Sequence, residues 1–322
     1  MTARRLRALT VLVVALIAVV FGLAGCSSKS ADDKRDPVQV NLPDRTSVTI
    51  NGTPKRIVTL GDQWTDIALQ FGITPVAYYD GLKQQTKQDE PWYGDKLKDV
   101  PAIDVGRDAV GQVAKVKPDL ILAPGFGQEQ TQALANIAPM IGKISGQQID
   151  PWEDMVRLFG TIVHQPDRAN QIIDKTNAKI TSLRQRYPNI VGKTYAFALI
   201  FGADQIQVLA DPNDGAAKLF GQLGFQIAPQ LVAEGKKSGQ ARFALSAEQI
   251  PMLDADLLVV SATTPALQER LGHLPGYTNL TAVRDNAYSF LSLQDITALN
   301  EPSPGGIDYV LDRLAPTLGA VR

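Results

Sequence analysis

Few residues in this chain of 322 are of types that do chemistry. Cys26 is the only cysteine, and His164 and His273 are the only histidines. One thiol can make no intramolecular disulfide and no thiolate zinc cluster. Two imidazoles exclude a multi-histidine metal site. No serine has an evident histidine–aspartate pair, and Gly-x-Ser-x-Gly is absent. Gly125-Phe126-Gly127 lacks the third glycine and the helix context of a dinucleotide loop. The 32 basic and 33 acidic residues leave a formal charge of -1, without the basic face a nucleic-acid partner needs. These residues point to binding rather than catalysis, and no enzyme is expected.

The thiol has a context of its own. Arg4, Arg5 and Arg7 precede an apolar run from Ala8 to Ala24, and Leu23-Ala24-Gly25-Cys26 follows the pattern of a secretory signal ending in small residues. Those four residues resemble a bacterial lipobox. The resemblance implies cleavage before Cys26 and acylation of its thiol, the alternative being an uncleaved signal anchor. Residues 1–25 then read as signal peptide and 26–44 as a lipidated tether. Cleavage removes three arginines and takes the formal charge to -4. No second stretch is long and apolar enough to span a bilayer. The expected location is the extracytoplasmic face of the cytoplasmic membrane, in the periplasm or cell envelope, held there by lipid.

The remaining chain must position whatever binds. Strand-like runs at Arg56–Leu60, Pro75–Tyr79 and Asp119–Ala123 alternate with helical patterns at Trp64–Phe71, 108–116 and 131–137. This alternation predicts an α/β fold with mainly parallel sheets. Asp150 is placed to cap a helix with Pro151 at its first position, running to Val163. A second helix is predicted over 166–187, because Ala169, Ile172, Ile173, Ile180 and Leu183 share one stripe. It is long for a simple crossover and suits a strut between lobes at 45–165 and 188–322. Beyond it, strands are predicted at Thr194–Phe201, Gln205–Leu209, Asp256–Ser261 and Ala287–Leu291, with helices at 215–223 and 305–314. Residues 111–122 are echoed by 248–259. Each is a short helical pattern, then an aspartate (Asp119, Asp256), then a buried strand, and the pairing favours two related lobes.

Four phrases carry a more specific resemblance. They are Pro54-Lys55-Arg56-Ile57-Val58, Val116-Lys117-Pro118-Asp119-Leu120-Ile121-Leu122, Leu245-Ser246-Ala247-Glu248-Gln249-Ile250 before Asp254-Ala255-Asp256, and Leu280-Thr281-Ala282-Val283 before Tyr288. In this order the chain resembles the substrate-binding lipoproteins of ABC importers for ferric siderophores, haem or cobalamin, over about residues 45–318. Within that class it is most similar to actinobacterial ferric-siderophore binders of the ferric-dicitrate type, through Asp89-Glu90-Pro91-Trp92-Tyr93. The resemblance implies two lobes joined by one rigid helix, only small closure, and a monomer that hands an iron chelate to a membrane permease. The ligand expected is an Fe(III)–siderophore complex, with haem or cobalamin as the alternative; no metal is bound directly by the protein. A lipid-anchored hydrolase and an envelope scaffold or sensor are the readings from other classes.

The same resemblance directs attention to flat faces and positive donors around a cleft. Trp64, Tyr79 and Phe126 follow strand-like runs, Trp92 and Tyr93 lie in a long polar loop, and Phe201 ends a strand. Arg242, in a polar stretch from Gly235 to Phe243, and Arg107 are the candidate cations. For each, packing or an ordinary surface position is the plain alternative. Glu248 corresponds to a glutamate that pairs with an arginine of the permease. Gly111 occupies the matching place in the first lobe, where Asp108, one helical turn earlier, is the candidate substitute.

Overall fold

The computed structural model describes residues 35–202 and 205–322. The expected signal peptide and the acylation site at Cys26 lie outside the described residues. Asp36–Arg322 pack as one compact unit. Among the described residues, no helix is long and apolar enough to cross a membrane.

A hairpin opens the fold, with β1 (Val38–Asn41) antiparallel to β2 (Ser47–Ile50). Val40 and Ile50 are buried on one face, so the alternation Val38-x-Val40-x-Leu42 belongs to a strand. Residues 38–41, read from sequence as part of the tether, are a strand of the fold.

The first half then runs β3 (Ile57–Thr59), α1 (Asp62–Gln70), β4 (Ala77–Tyr78), α2 (Gly81–Thr86), a 3-10 segment (Pro91–Leu97), α3 (Ala109–Lys115), β5 (Leu120–Leu122), α4 (Gln128–Ala135) and β6 (Met140–Ile141). The four strands form an all-parallel sheet in the order β4-β3-β5-β6. Its residues are apolar on both faces, as a parallel sheet covered by helices requires. Ile57, Leu120, Leu122 and Ile141 join one core, while Val58, Ile121 and Met140 join another.

Two long helices follow, α5 (Trp152–Ile162) and α6 (Pro166–Arg186). α6 has 21 residues, about 32 Å of helix, and matches the helix predicted over 166–187 to within one residue. The predicted stripe is buried. At the turn between the helices His164 has φ of 55°. A Cβ built on Gly160 of α5 would lie 2.6 Å from the Ala169 Cβ of α6, so their close approach depends on that glycine. Asp150 does not cap α5. Its carboxylate instead accepts from the Ile144 and Ser145 N–H groups at 3.0 and 2.8 Å, closing the loop before the helix.

The second half runs β7 (Thr194–Gly202), β8 (Gln205–Leu209), α7 (Gly215–Leu223), β9 (Gln226–Ile227), α8 (Pro229–Ser238), β10 (Arg242–Leu245), a 3-10 segment (Ala247–Leu253), β11 (Leu257–Ala262), α9 (Pro265–Gly272), α10 (Thr281–Arg284), β12 (Tyr288–Leu291), α11 (Leu293–Asn300) and α12 (Pro304–Leu318). Its sheet is β10-β8-β7-β11-β12, with β9 also on β7. It is mixed: β9, β11 and β12 run parallel to β7, while β8 runs antiparallel to both its neighbours, β7 and β10. The polar stretch from Gly235 to Phe243 is the end of α8 followed by the start of β10.

The two sheets share a core. Ile57 and Leu120 of the first, Ile172 and Ile180 of α6, and Phe197 and Val259 of the second belong to one continuous apolar cluster. The echoed aspartates share a task. Asp119 accepts from Lys55 and Arg56 N–H, both at 2.8 Å, just before β3. Asp256 accepts from the Thr194 N–H and hydroxyl, at 2.8 and 2.7 Å, at the start of β7.

Candidate ligand-binding cleft

Strand order reverses between β3 and β5, because β4 lies on one side of β3 and β5 on the other. Open α/β sheets leave a crevice at the carboxyl ends of such strands. Here Gly61 follows β3 and Pro124 follows β5. A Cβ on Gly61 would lie 2.9 Å from the Pro124 Cδ, so the two loops meet only because residue 61 has no side chain. A cavity of about 40 Å³ lies here, lined by Asp62, Trp64, Pro124, Lys143, Met155 and Glu301 among others.

A larger cavity of about 830 Å³ adjoins it, and Gln148, Ile149 and Glu301 line both. One wall is the loop Gln147–Ile149 after β6. The opposite wall comes from the second half: Gln207 of β8, Asp214 and Lys218 at the start of α7, Arg242 of β10, and Asn300 at the end of α11. Buried Gln63 ties the halves together beneath, donating to the Asp150 and Pro302 carbonyls at 3.3 and 2.8 Å. At the rim, the Lys218 ammonium donates to the Gln147 side-chain oxygen.

Arg242 is held from three sides. Its Nε and Nη2 donate to the two Asp214 oxygens, both at 3.0 Å, and Nη2 also donates to Asn300 Oδ1 at 2.7 Å. The guanidinium lies 5.7 Å from the Phe197 ring centre. Asp214 is itself fixed, capping α7 through the Ala216 N–H. Three of about five guanidinium N–H donors are engaged, and Nη1 makes no hydrogen bond among the described residues. The arrangement presents an oriented, partly neutralised cation to the cavity.

An acidic cluster adjoins the small cavity. Oxygen atoms of Asp62, Asp80 and Glu90 lie within 4.8 Å of one another. Asp62 opens α1 after β3, Asp80 caps α2 after β4 through the Lys83 N–H at 2.7 Å, and Glu90 immediately precedes the 3-10 segment Pro91–Leu97. Burial, reinforced by Asp62, Asp80, Glu301 and Asp66, pushes the Glu90 carboxyl up to about 10. Burial and then Glu301 and Asp80 hold Asp62 well above the usual carboxylate range. Burial alone raises Glu301. Tyr79 is half-buried beside this group, and its hydroxyl is raised by burial and then by Asp62, Asp80 and Glu301.

The residues expected to touch ligand are dispersed. Arg242 stands in the cleft. Trp64 borders the small cavity but is 1% exposed and offers no free face. Tyr93 is wholly buried, its hydroxyl donating to the Asp62 carbonyl at 3.2 Å. Trp92 packs on Tyr93 and Tyr309, with ring centres 5.7 and 5.4 Å apart, and faces the α6–α12 groove rather than the cleft. Phe126 is half-buried against the outer core of the first sheet. Phe201, at 46% exposure, ends β7 but does not wall the large cavity. Arg107 is an exposed arginine paired with Asp104 at 3.3 Å and lines no described cavity. Glu248 and Asp108 are both exposed. Asp108 caps α3 through the Gly111 N–H at 2.8 Å, and a Cβ on Gly111 would lie 2.0 Å from its Oδ2. The aspartate thus fills the space a side chain at 111 would need. Reasoning from sequence missed Asp214, Asn300, Glu301 and the acidic cluster. Asp62 and Asp80 lie three and two residues past the ends of β3 and β4, a signal available had acids been sought there as well as aromatics.

Comparison with known proteins places this geometry in a lineage. The family model described as periplasmic binding protein matches residues 57–289. The probable siderophore-binding lipoprotein YfiY of Bacillus subtilis is 29% identical over 221 residues, covering 66% of this chain and 65% of that protein, just under two thirds of its length. The Fe(3+)-citrate-binding protein YfmC of Bacillus subtilis is 25% identical over 282 residues, 82% of each chain. Among solved structures, Staphylococcus aureus SirA complexed with staphyloferrin B matches with a TM-score of 0.72 at 22% identity, covering 87% of this chain and 98% of that one.

Proposed function

The chain belongs to the periplasmic binding protein family, and on that premise we propose that it captures a ferric siderophore in the cleft and delivers it to an ABC permease. It acts as a receptor, without catalysis, anchored by lipid on Cys26 at the extracytoplasmic face of the cytoplasmic membrane. Residues 45–165 and 188–322 serve as two lobes about the helix at 166–187. The observation that carries this reading is the cavity of about 830 Å³ with Arg242 held at its wall. That volume lies within the range of small-molecule sites, and an oriented guanidinium suits the carboxylate or hydroxamate oxygens of an iron chelate. Relatives named for siderophore and Fe(3+)-citrate binding support the ligand class. The iron arrives wrapped in its own donors, which agrees with a chain holding one cysteine and two histidines.

Tryptophan fluorescence of the detergent-solubilised chain tests the reading. Trp64 and Trp152 both border cavities at the cleft. Titration with ferric citrate, a ferric hydroxamate, hemin and cobalamin should give saturable quenching by at least one ferric siderophore. Saturation by hemin or cobalamin alone, or by none of the four, overturns it.

A further inference from the structure

The geometry points to a hard divalent-cation site, with Ca²⁺ as occupant, made by Asp62, Asp80 and Glu90. The three carboxylates come from three separate elements, and their oxygens converge within 4.8 Å of one another. Ca²⁺ takes six to eight oxygen ligands at about 2.3–2.6 Å, and oxygens on opposite sides of such an ion stand about that far apart.

A second observation concerns how these oxygens are left. Glu90 is 1% exposed, and neither of its carboxylate oxygens has a hydrogen-bond partner. Asp80 is also 1% exposed; Oδ1 is spent on its cap while Oδ2 is sealed and unpartnered, as is Asp62 Oδ1. Buried carboxylates in proteins are ordinarily paired, hydrogen-bonded or bound to metal. The nearby ammonium is directed elsewhere, since Lys83 bonds Asp89 and the Tyr78 hydroxyl at 2.7 and 2.6 Å. Among the described residues no basic group pairs with Asp62, Asp80 or Glu90. The donors are all oxygen, which suits Ca²⁺ and not the soft metals. A cation here ties the start of the 3-10 segment at Glu90 to the starts of α1 and α2, one residue from the Gly61–Pro124 contact that shapes the cleft.

The experiment uses the full chain in detergent, stripped with EDTA and passed into chelator-free buffer. Thermal unfolding is followed while CaCl₂, or MgCl₂ in a parallel arm, is added to millimolar levels. Tb³⁺ luminescence excited through tryptophan and tyrosine reports occupancy. A site binding the folded state raises Tm progressively with cation concentration. We expect a Ca²⁺-dependent rise of several degrees, a Tb³⁺ signal saturating at one ion per chain, and its displacement by Ca²⁺. Glu90→Gln removes a charge at nearly constant shape, so it should fold, raise Tm in EDTA and lose both cation responses. A wild-type Tm indifferent to Ca²⁺ overturns the site, and leaves protons as the groups that neutralise it. A response that Glu90→Gln retains in full also overturns it, by placing the ion elsewhere. A response to Mg²⁺ equal to that of Ca²⁺ overturns the choice of ion.

Discussion

Asp119 and Asp256, 137 positions apart, make the same clamp: each precedes a central strand and binds the backbone at the start of the strand beside it. The internal echo of the sequence is therefore a repeated structural device. In each half it fixes the register of the two central strands, β3 with β5 and β7 with β11.

The second clamp is expected to sense acid. Burial would raise the Asp256 pKa, but its bonds to Thr194 and the Lys193 charge bring it below the ordinary 3.8. A depressed carboxylate contributes stability above its unfolded pKa and loses it as pH falls through the folded value. Asp256→Asn should therefore be less stable than wild type at pH 7, with the gap closing as pH falls below about 4. Urea unfolding at both pH values measures it; a gap independent of pH refutes the assignment.

Arg242→Ala should weaken ferric-siderophore binding by about 10- to 100-fold, on the order of 1.5–3 kcal/mol for a hydrogen bond to a charged group. Arg242→Lys should recover only part, since an ammonium cannot reproduce the two-point contact with Asp214. Equal affinities for the wild type and both variants would show that the ligand does not use this wall.

Trp92 separates packing from recognition. Because it packs on Tyr309 and Tyr93 away from the cleft, Trp92→Ala should cost about 2 kcal/mol of stability. Ligand affinity should stay within about twofold, a change below 0.5 kcal/mol. Calorimetry and a binding titration on the same sample decide this. A large affinity loss with unchanged stability would return Trp92 to the binding site.

Docking to the permease is tested at the two exposed acids. Glu248→Ala and Asp108→Ala should each lower uptake of the iron chelate in cells while leaving affinity of the isolated protein unchanged, as interfacial charges act on encounter with a partner. Wild-type uptake by the double variant would exclude these residues from the interface.

Much of the scaffold was legible because it follows from period and punctuation. The stripe Ala169–Leu183 set out α6, and the runs at Ile57, Leu120 and Leu257 set out the central strands. What escaped depends on tertiary partners. Tyr93 and Trp92 sit in a polar loop and looked available, yet Tyr93 is buried because the chain folds back onto α1. α8 and β10 around Arg242 were not predicted, because α8 ends in Lys236, Lys237 and two glycines, Gly235 and Gly239, with weak helix signal, and β10 has only four residues. The acids of the cluster are separated in sequence, and the parallel pairing of β3 with β4 brings the first two to the same end of the sheet. Strand β1 was absorbed into the tether because its alternation spans only three or four residues.

The core shared by both sheets and α6 bears on how occupancy can be read. If the chain is the receptor proposed above, this continuous core should hold the halves at nearly the same spacing with and without ligand. Loaded and empty forms should then differ mainly at the rim, in which charges around Arg242 and Lys218 are covered and which stay open to water.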